Sequence, residues 1–367
     1  MSAKPLASPP PLLWLATVVA LYALLAPIAW AGADLSYELT RLGGTAPSAS
    51  VVGDLLSPPM LVALVSLAPA APIWRLLRTL SVPDAGRWTG LMLLLPSSVL
   101  LGRGDALWTA PCLMTLDAAI RRRHGPLLLW CGLAVALAPQ AALFAPFVAA
   151  VLIHRRVNPA LWLLAPVSYV AAVAPAALLG WPVPDATLIP LHHAADVVGA
   201  PNIWFLVEAL LPGIMPQLGG LVVVGVVGVS ACYVAHFSTR LPGAGVRLLP
   251  VALLAELVSV GVLPQWHEAS LVIAGVIALV WAVASQERRA WQVAVLIQAG
   301  STLTIAGNLF GQAALVVAGF VVIALATWRT AMPLARAAAN DNEASARVWL
   351  RVPAPRQPAK PTQTVLV

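Results

Sequence analysis

Residues 249–291 read LPVALLAELVSVGVLPQWHEASLVIAGVIALVWAVASQERRAW. Two apolar runs, 248–263 and 269–285, are divided by Gln265-Trp266-His267-Glu268, and the second closes on Arg288 and Arg289. A helix needs roughly 20 apolar residues to cross a bilayer, so each run is close to one span. Arginine collects at the cytoplasmic ends of spans and tryptophan at the membrane–water boundary. The stretch therefore reads as a hairpin of two membrane helices, with its polar break outside and its arginines inside.

The same alternation continues in both directions. Of 367 residues, 60% are hydrophobic and 10% charged, with a mean hydropathy of +0.88. Soluble domains carry about a quarter charged residues, so that class is excluded. Spans are predicted near 11–31, 58–74, 88–101, 106–120, 126–138, 142–153, 159–180, 217–237, 248–263, 269–285, 291–306 and 311–328. The fold class is all-α: a polytopic transmembrane helical bundle of about 10–12 spans over 1–330, with outer loops carrying short interfacial helices.

The charges fit this map. With the N-terminus in the cytoplasm, nineteen of the 21 Lys and Arg fall in cytoplasmic connections or the tail, and Arg41 and Arg103 alone fall outside. Such a split orients a membrane protein, here with both termini cytoplasmic; the Arg-, Ala- and Pro-heavy usage reads as the bias of a GC-rich bacterial genome, so the membrane expected is a bacterial inner one. The net charge of +7 is spread in small clusters, which argues against a nucleic-acid partner. Cys112, Cys131 and Cys232 sit in apolar runs and form no disulfide framework. Ala29-Trp30-Ala31 has the small-residue pattern of a signal cleavage site, but the apolar stretch before it is long enough to stay as a first span. The segment 331–367, with Pro353, Pro355, Pro358 and Pro361, reads as a disordered cytoplasmic tail.

Acids obey the opposite rule. Asp34, Glu38, Asp54, Asp105, Asp185, Asp196 and Glu268 all fall on outer loops, with His192, His193 and His267. Chemistry is therefore expected at the periplasmic face. A carboxylate at the membrane boundary, such as Asp34, can act as a general base, because partial desolvation moves its pKa toward working pH. The alternative for Asp34 is a solvated acid at a helix start. Arg103, in the turn Leu101-Gly102-Arg103-Gly104-Asp105-Ala106, can grip a phosphate bidentately or pair locally with Asp105. His192, His193 and Asp196 complete no ligand shell, since neighbouring histidines on a helix diverge, and neither a metal nor a cofactor is expected. Asp117, four residues before Arg121, reads as half of a helical ion pair. Glu208 and Glu256 lie in apolar surroundings, where an ionisable group is a functional candidate.

The order of these pieces resembles the polytopic glycosyltransferases of the GT-C class, and especially integral membrane mannosyltransferases related to the second GPI mannosyltransferase. The resemblance runs over about residues 12–330. Asp34 stands where that family has an acid after the first span, and Ser57-Pro58-Pro59-Met60 where it has an aromatic-Pro-Pro stretch. Leu101 to Leu107 and Gly132 to Gln140 match a Trp-Gly-Gln-x-Asp-Ala element and a Gly-Leu-Ala…Lys-x-Gln…Pro element. Pro201-Asn202-Ile203-Trp204 matches an Asn-x-Trp. Leu263 to Ser270 matches part of a Leu-Pro-x-Met-His-Glu-Arg-Tyr element, and Gln298-Ala299-Gly300-Ser301 a Gln-x-x-Ser. Ala138, Arg103, Ala269 and Ser270 depart from the family's Lys, Gln, Arg and Tyr.

The resemblance implies transfer of a hexose, mannose by analogy, from a polyprenyl phosphate to an acceptor glycan or lipid. Asp34 would be catalytic, and Arg103, Asp105, Asn202, His267 and Glu268 would bind the donor and substrate. Two other readings stay open. The missing cations fit a non-catalytic membrane subunit or lipid-binding scaffold, and Glu208 with Glu256 fits a transporter or flippase.

Overall fold

A computed structural model describes residues 67–93, 105–178, 202–211, 215–243, 245–262 and 271–349. Their regular structure is helical, with no strand among the described residues. In chain order the helices are α1 (Ala70–Thr79), α2 (Ala85–Leu93), α3 (Asp105–Ile120), α4 (His124–Leu137), α5 (Ala145–His154), the single turn α6 (Pro159–Trp162) and α7 (Leu164–Leu178). Then come α8 (Ile203–Leu210), α9 (Met215–Arg240), α10 (Leu249–Val262), α11 (Leu271–Ser285), α12 (Arg288–Leu309) and α13 (Ala313–Trp349). Short 3-10 turns, Pro139–Phe144 and Gly245–Leu248, lead into α5 and α10.

Two stretches, Gly245–Val262 and Ala313–Ala335, are long and apolar enough to cross a membrane by length and composition. Four further apolar helices are shorter. The chain divides into one compact unit, Met1–Thr330, and a second, Ala331–Val367.

Within the first unit, α10 and α11 form the centre. Residues Leu249–Leu257 of α10 and Leu271–Ala278 of α11 are all buried. Helix α11 packs on α10, α12, α3 and α1, while α4 packs on α3 and α7, and α9 on α5 and α10. The outward faces are apolar as well. Val167 and Val170 on α7 are 58% and 60% exposed, and Leu221, Val224 and Val227 on α9 and Val321, Leu325 and Trp328 on α13 form similar stripes. In water these stripes would cost about 25 cal/mol per Å² of apolar surface, which an apolar surrounding medium removes.

Close helix approach rests on small residues. A Cβ on Gly132 of α4 would collide with the Ala165 carbonyl oxygen and lie 3.0 Å from Ser168 Cβ on α7. Ser168 Oγ donates to the Leu129 carbonyl across the same crossing, at 2.7 Å. Gly300 and Gly307 on α12 and Gly319 on α13 do likewise: a Cβ on Gly300 would lie 2.7 Å from Ile323 Cδ1. Small residues joined by interhelical hydrogen bonds are how helices pack where no hydrophobic drive separates helix from surroundings.

Four helices end in the same capping motif, α12 with Gly311 (φ 63°) at the left-handed position and three others without glycine. After α1, α3 and α5, one amide bonds back five residues (Val82 to Leu77, Arg123 to Ala118, Val157 to Leu152) and the preceding amide bonds back three. This Schellman geometry needs a left-handed residue, normally glycine. Here the positions are Ser81 (φ 57°), Arg122 (φ 58°) and Arg156 (φ 50°).

The turns after α1, α3 and α5 share one end of the bundle. Arg75 and Thr79 meet Asp117 and Arg121; Arg155 Nη1 donates to the Ala119 carbonyl, at 2.7 Å; His154 Nδ1 lies 3.0 Å from the Ser238 carbonyl. Trp88 stacks 5.9 Å from Trp291, and Arg329 Nη1 reaches Gln292 Oε1 at 2.6 Å. The arginine clusters at 75–87, 121–123, 155–156, 240–247 and 288–289, which the charge map assigned to one side, thus lie together, with Arg329.

Several expected boundaries shift. Of the span expected over 58–74, residues 58–66 lie outside the described residues, and the helix described after them runs on to Thr79, because Leu76 and Leu77 stay buried while Arg75 reaches Asp117 and Arg78 is exposed. The span 159–180 is broken at Leu163 into α6 and α7. Within 331–367, expected as a disordered tail, helical backbone continues to Trp349. Ala335, Ala337, Ala338, Ala339, Ala344 and Ala346 explain this, since alanine has the highest helix propensity. Residues 350–367 lie outside the described residues.

Candidate functional site

The other end of the bundle carries no Lys or Arg among the described residues. Helix α3 begins there, at Asp105. Asn202 caps α8: its Oδ1 accepts the Phe205 amide at 2.8 Å, satisfying one of the four orphan donors of the helix start. Asn202 is fully buried.

Two residues on, Trp204 Nε1 donates to the carbonyl of Val262, the last residue of α10. That carbonyl has no partner within its own helix, so the indole both satisfies it and pins α8 to the end of α10. Val207 and Val226 pack on the Trp204 ring, which lies beside Gly225 of α9. The Asn-x-Trp sequence is therefore a two-point clamp: the asparagine shapes the helix start, and the tryptophan locks that helix against two others.

Ser259, one turn earlier on α10, donates to the Leu143 carbonyl at 3.3 Å and ties in the turn after Ala138. Ala138 is extended (φ −155°) and buried. Positions 138, 202, 204 and 262, from three separate sequence elements, are thereby held at one end of the bundle, from which 263 leads into the His267-Glu268 segment. Asp34, Arg103, His267 and Glu268 lie outside the described residues.

Below this surface, about 9 Å along α10 from Val262 at 1.5 Å per residue, sits Glu256. It is 1% exposed, and its Oε1 has no hydrogen-bond partner. Cys112 of α3 lies within its electrostatic reach. A buried carboxyl oxygen without a donor costs stability, which marks Glu256 as a group kept for something other than packing. Among the described residues no three His, Cys, Asp or Glu side chains gather as a metal shell.

Asp117, at the opposite end, is a closed arrangement. Oδ1 accepts Thr79 Oγ1 at 2.7 Å and Arg121 Nε at 2.9 Å; Oδ2 accepts Arg75 Nε at 2.9 Å. The i,i+4 pair with Arg121 matches the sequence reading. The bridge from α1 was not foreseeable, because Arg75 is 42 residues away. Every oxygen is occupied, so Asp117 binds helices together and offers no vacant acceptor.

Compared with known proteins, the chain matches no family model and no curated protein.

Proposed function

We propose that this chain is a polytopic membrane glycosyltransferase. It takes a hexose, mannose by analogy, from a polyprenyl-phosphate donor to an acceptor at the periplasmic face of the bacterial inner membrane. The apolar outward faces and the single arginine-rich end support the membrane setting. The observation that carries the enzymatic reading is the order of the motif elements in the sequence. The gathering of Ala138, Asn202-Trp204 and the Val262 end at one pole, where no Lys or Arg lies among the described residues, is consistent with it.

In this reading Asp34 takes the proton of the acceptor hydroxyl as its oxygen attacks the anomeric carbon. The bond from that carbon to the phosphate oxygen breaks with inversion. The electron pair leaves with the polyprenyl phosphate, whose charge Arg103 stabilises. Asp105, His267 and Glu268 line the sugar and phosphate site, and Asn202 holds α8 beside it.

The test is transfer by purified protein in lipid vesicles with a panel of polyprenyl-phosphate hexoses, following release of free polyprenyl phosphate. Turnover that vanishes in Asp34→Asn at equal membrane abundance supports the assignment. Undiminished turnover in that variant removes Asp34 from the role. A second reading, a non-catalytic lipid-binding subunit, is favoured by one feature: Ala138, standing at the family's lysine position, is enclosed and supplies no cation. Absence of turnover with every donor, together with co-purification of another transferase, would select it.

A further inference from the structure

At the arginine-rich end, the turns after α3 and α5 differ from their neighbours. Asp117 is already shared by Arg75 and Arg121, and Asp84 lies 3.9 Å from Arg87. No described carboxylate pairs with Arg122, Arg123, Arg155 or Arg156. Arg155 is fixed by its bond to the Ala119 carbonyl, close enough to Arg122 and to His124 for their charges to interact. His124 opens α4, and its Nε2 is buried with no hydrogen-bond partner.

Apolar surface adjoins these cations. Helix α6 packs on α4, and Leu164 Cδ1 lies 3.9 Å from where a Cβ on Gly125 would be. Trp162 ends α6, six residues after Arg156, and Leu163, next in the chain, is 64% exposed. The surface thus has an unneutralised cationic rim and an apolar skirt, with the buried His124 Nε2 beneath. Two of its arginines occupy left-handed positions that glycine fills at lower cost.

We propose that the α3–α4 and α5–α6 turns form a binding site for the phosphodiester headgroup of an anionic phospholipid. Arg122 and Arg155 receive the phosphate, and Trp162 and Leu163 receive the acyl chains. The inference rests on the membrane-spanning reading above but not on the transferase chemistry.

The experiment uses the full chain purified in an uncharged detergent. Native mass spectrometry counts retained lipid after addition of phosphatidylglycerol or phosphatidylcholine, with inorganic phosphate as a separate competitor. Phosphatidylglycerol is expected to be retained over phosphatidylcholine. A guanidinium near a headgroup is worth about fivefold in affinity, so Arg122→Gly should lower retention about that much and Arg122→Gly/Arg155→Gln more. Glutamine leaves a donor for the Ala119 carbonyl, and glycine suits the left-handed turn, so both variants fold. Arg288→Gln/Arg289→Gln removes two charges elsewhere on the same end and should leave retention unchanged. Equal loss in that control, equal retention of phosphatidylcholine, or displacement by inorganic phosphate alone would each overturn the site. A chain recovered from cells without detergent would instead refute the membrane reading itself.

Discussion

Replacing Gly132 by alanine tests whether α4 and α7 meet as closely as described. The new Cβ would collide with the carbonyl oxygen of Ala165 and stand 2.9 Å from its carbon. The obstacle is backbone, which cannot rotate away as a side chain tip would. The helices must separate, and the 2.7 Å bond from Ser168 to the Leu129 carbonyl stretches with them. Overpacking costs about 1–3 kcal/mol. An interhelical hydrogen bond in such a setting adds about 0.6 kcal/mol. Alanine's better helix propensity returns up to about 1 kcal/mol. The expected net loss is about 1–3 kcal/mol, read by denaturant unfolding in detergent micelles. Gly228→Ala on α9 is the control: nothing lies within 4 Å of its Cβ, so only the propensity gain remains and stability should rise slightly. If Gly132→Ala unfolds at the same denaturant concentration as the parent, or later, the argument for a glycine-dependent crossing fails.

Asp117→Ala should cost about 3 kcal/mol. The change removes a buried carboxylate and leaves Arg75, Thr79 and Arg121 without their shared acceptor, although the two arginines are partly exposed and recover some hydration; an unfolding midpoint within error of the parent would contradict this. Glu256→Leu should raise stability by about 1 kcal/mol or more, since it removes a buried oxygen without a donor, and a fall in thermal unfolding temperature would reveal a partner. Burial, then the nearby Arg155, lowers the His124 pKa below its ordinary value. Arg122 adds a further like charge beyond Arg155, and Asp117 on α3 is occupied. The unfolded chain therefore binds a proton first, so stability is full above pH ~6.5 and falls as the pH drops below that value. His124→Gln should flatten this acid slope, measured as unfolding temperature against pH. Trp204→Phe keeps the ring but loses the bond to Val262, and it should lower transfer while leaving the helical circular dichroism unchanged.

The elements most legible in the sequence were those whose ends carry charge. Helices α3, α4, α10 and α11 begin and end within about two residues of the apolar runs, because arginine turns or a Pro-Gln-Trp break punctuate them. Boundaries failed where composition and backbone part company. Arg75 and Arg78 end an apolar run but not α1, whose buried face continues through Leu76 and Leu77. The segment after Thr330 is polar yet alanine-rich, so helix propensity outweighs the absence of an apolar stripe.

Of the site, residue types were legible but their uses were not. Asn202 and Trp204 stood out as a pair, yet only the fold shows that one caps a helix and the other closes the end of α10. Glu256 stood out as an acid in an apolar run. Its depth and its unpartnered oxygen depend on α3 and the turn at 139–144, which are more than 100 residues away in the chain.

The Schellman turns have a consequence for how the protein can be altered. Where three to five residues join consecutive helices and hold the capping bonds, an added residue breaks one of those bonds, so tags and inserted domains will be tolerated poorly between α1 and α2, α3 and α4, or α5 and α6. Any soluble protein that approaches this pole meets a low, rigid, positively charged plate with no protruding loop to grasp at these three turns.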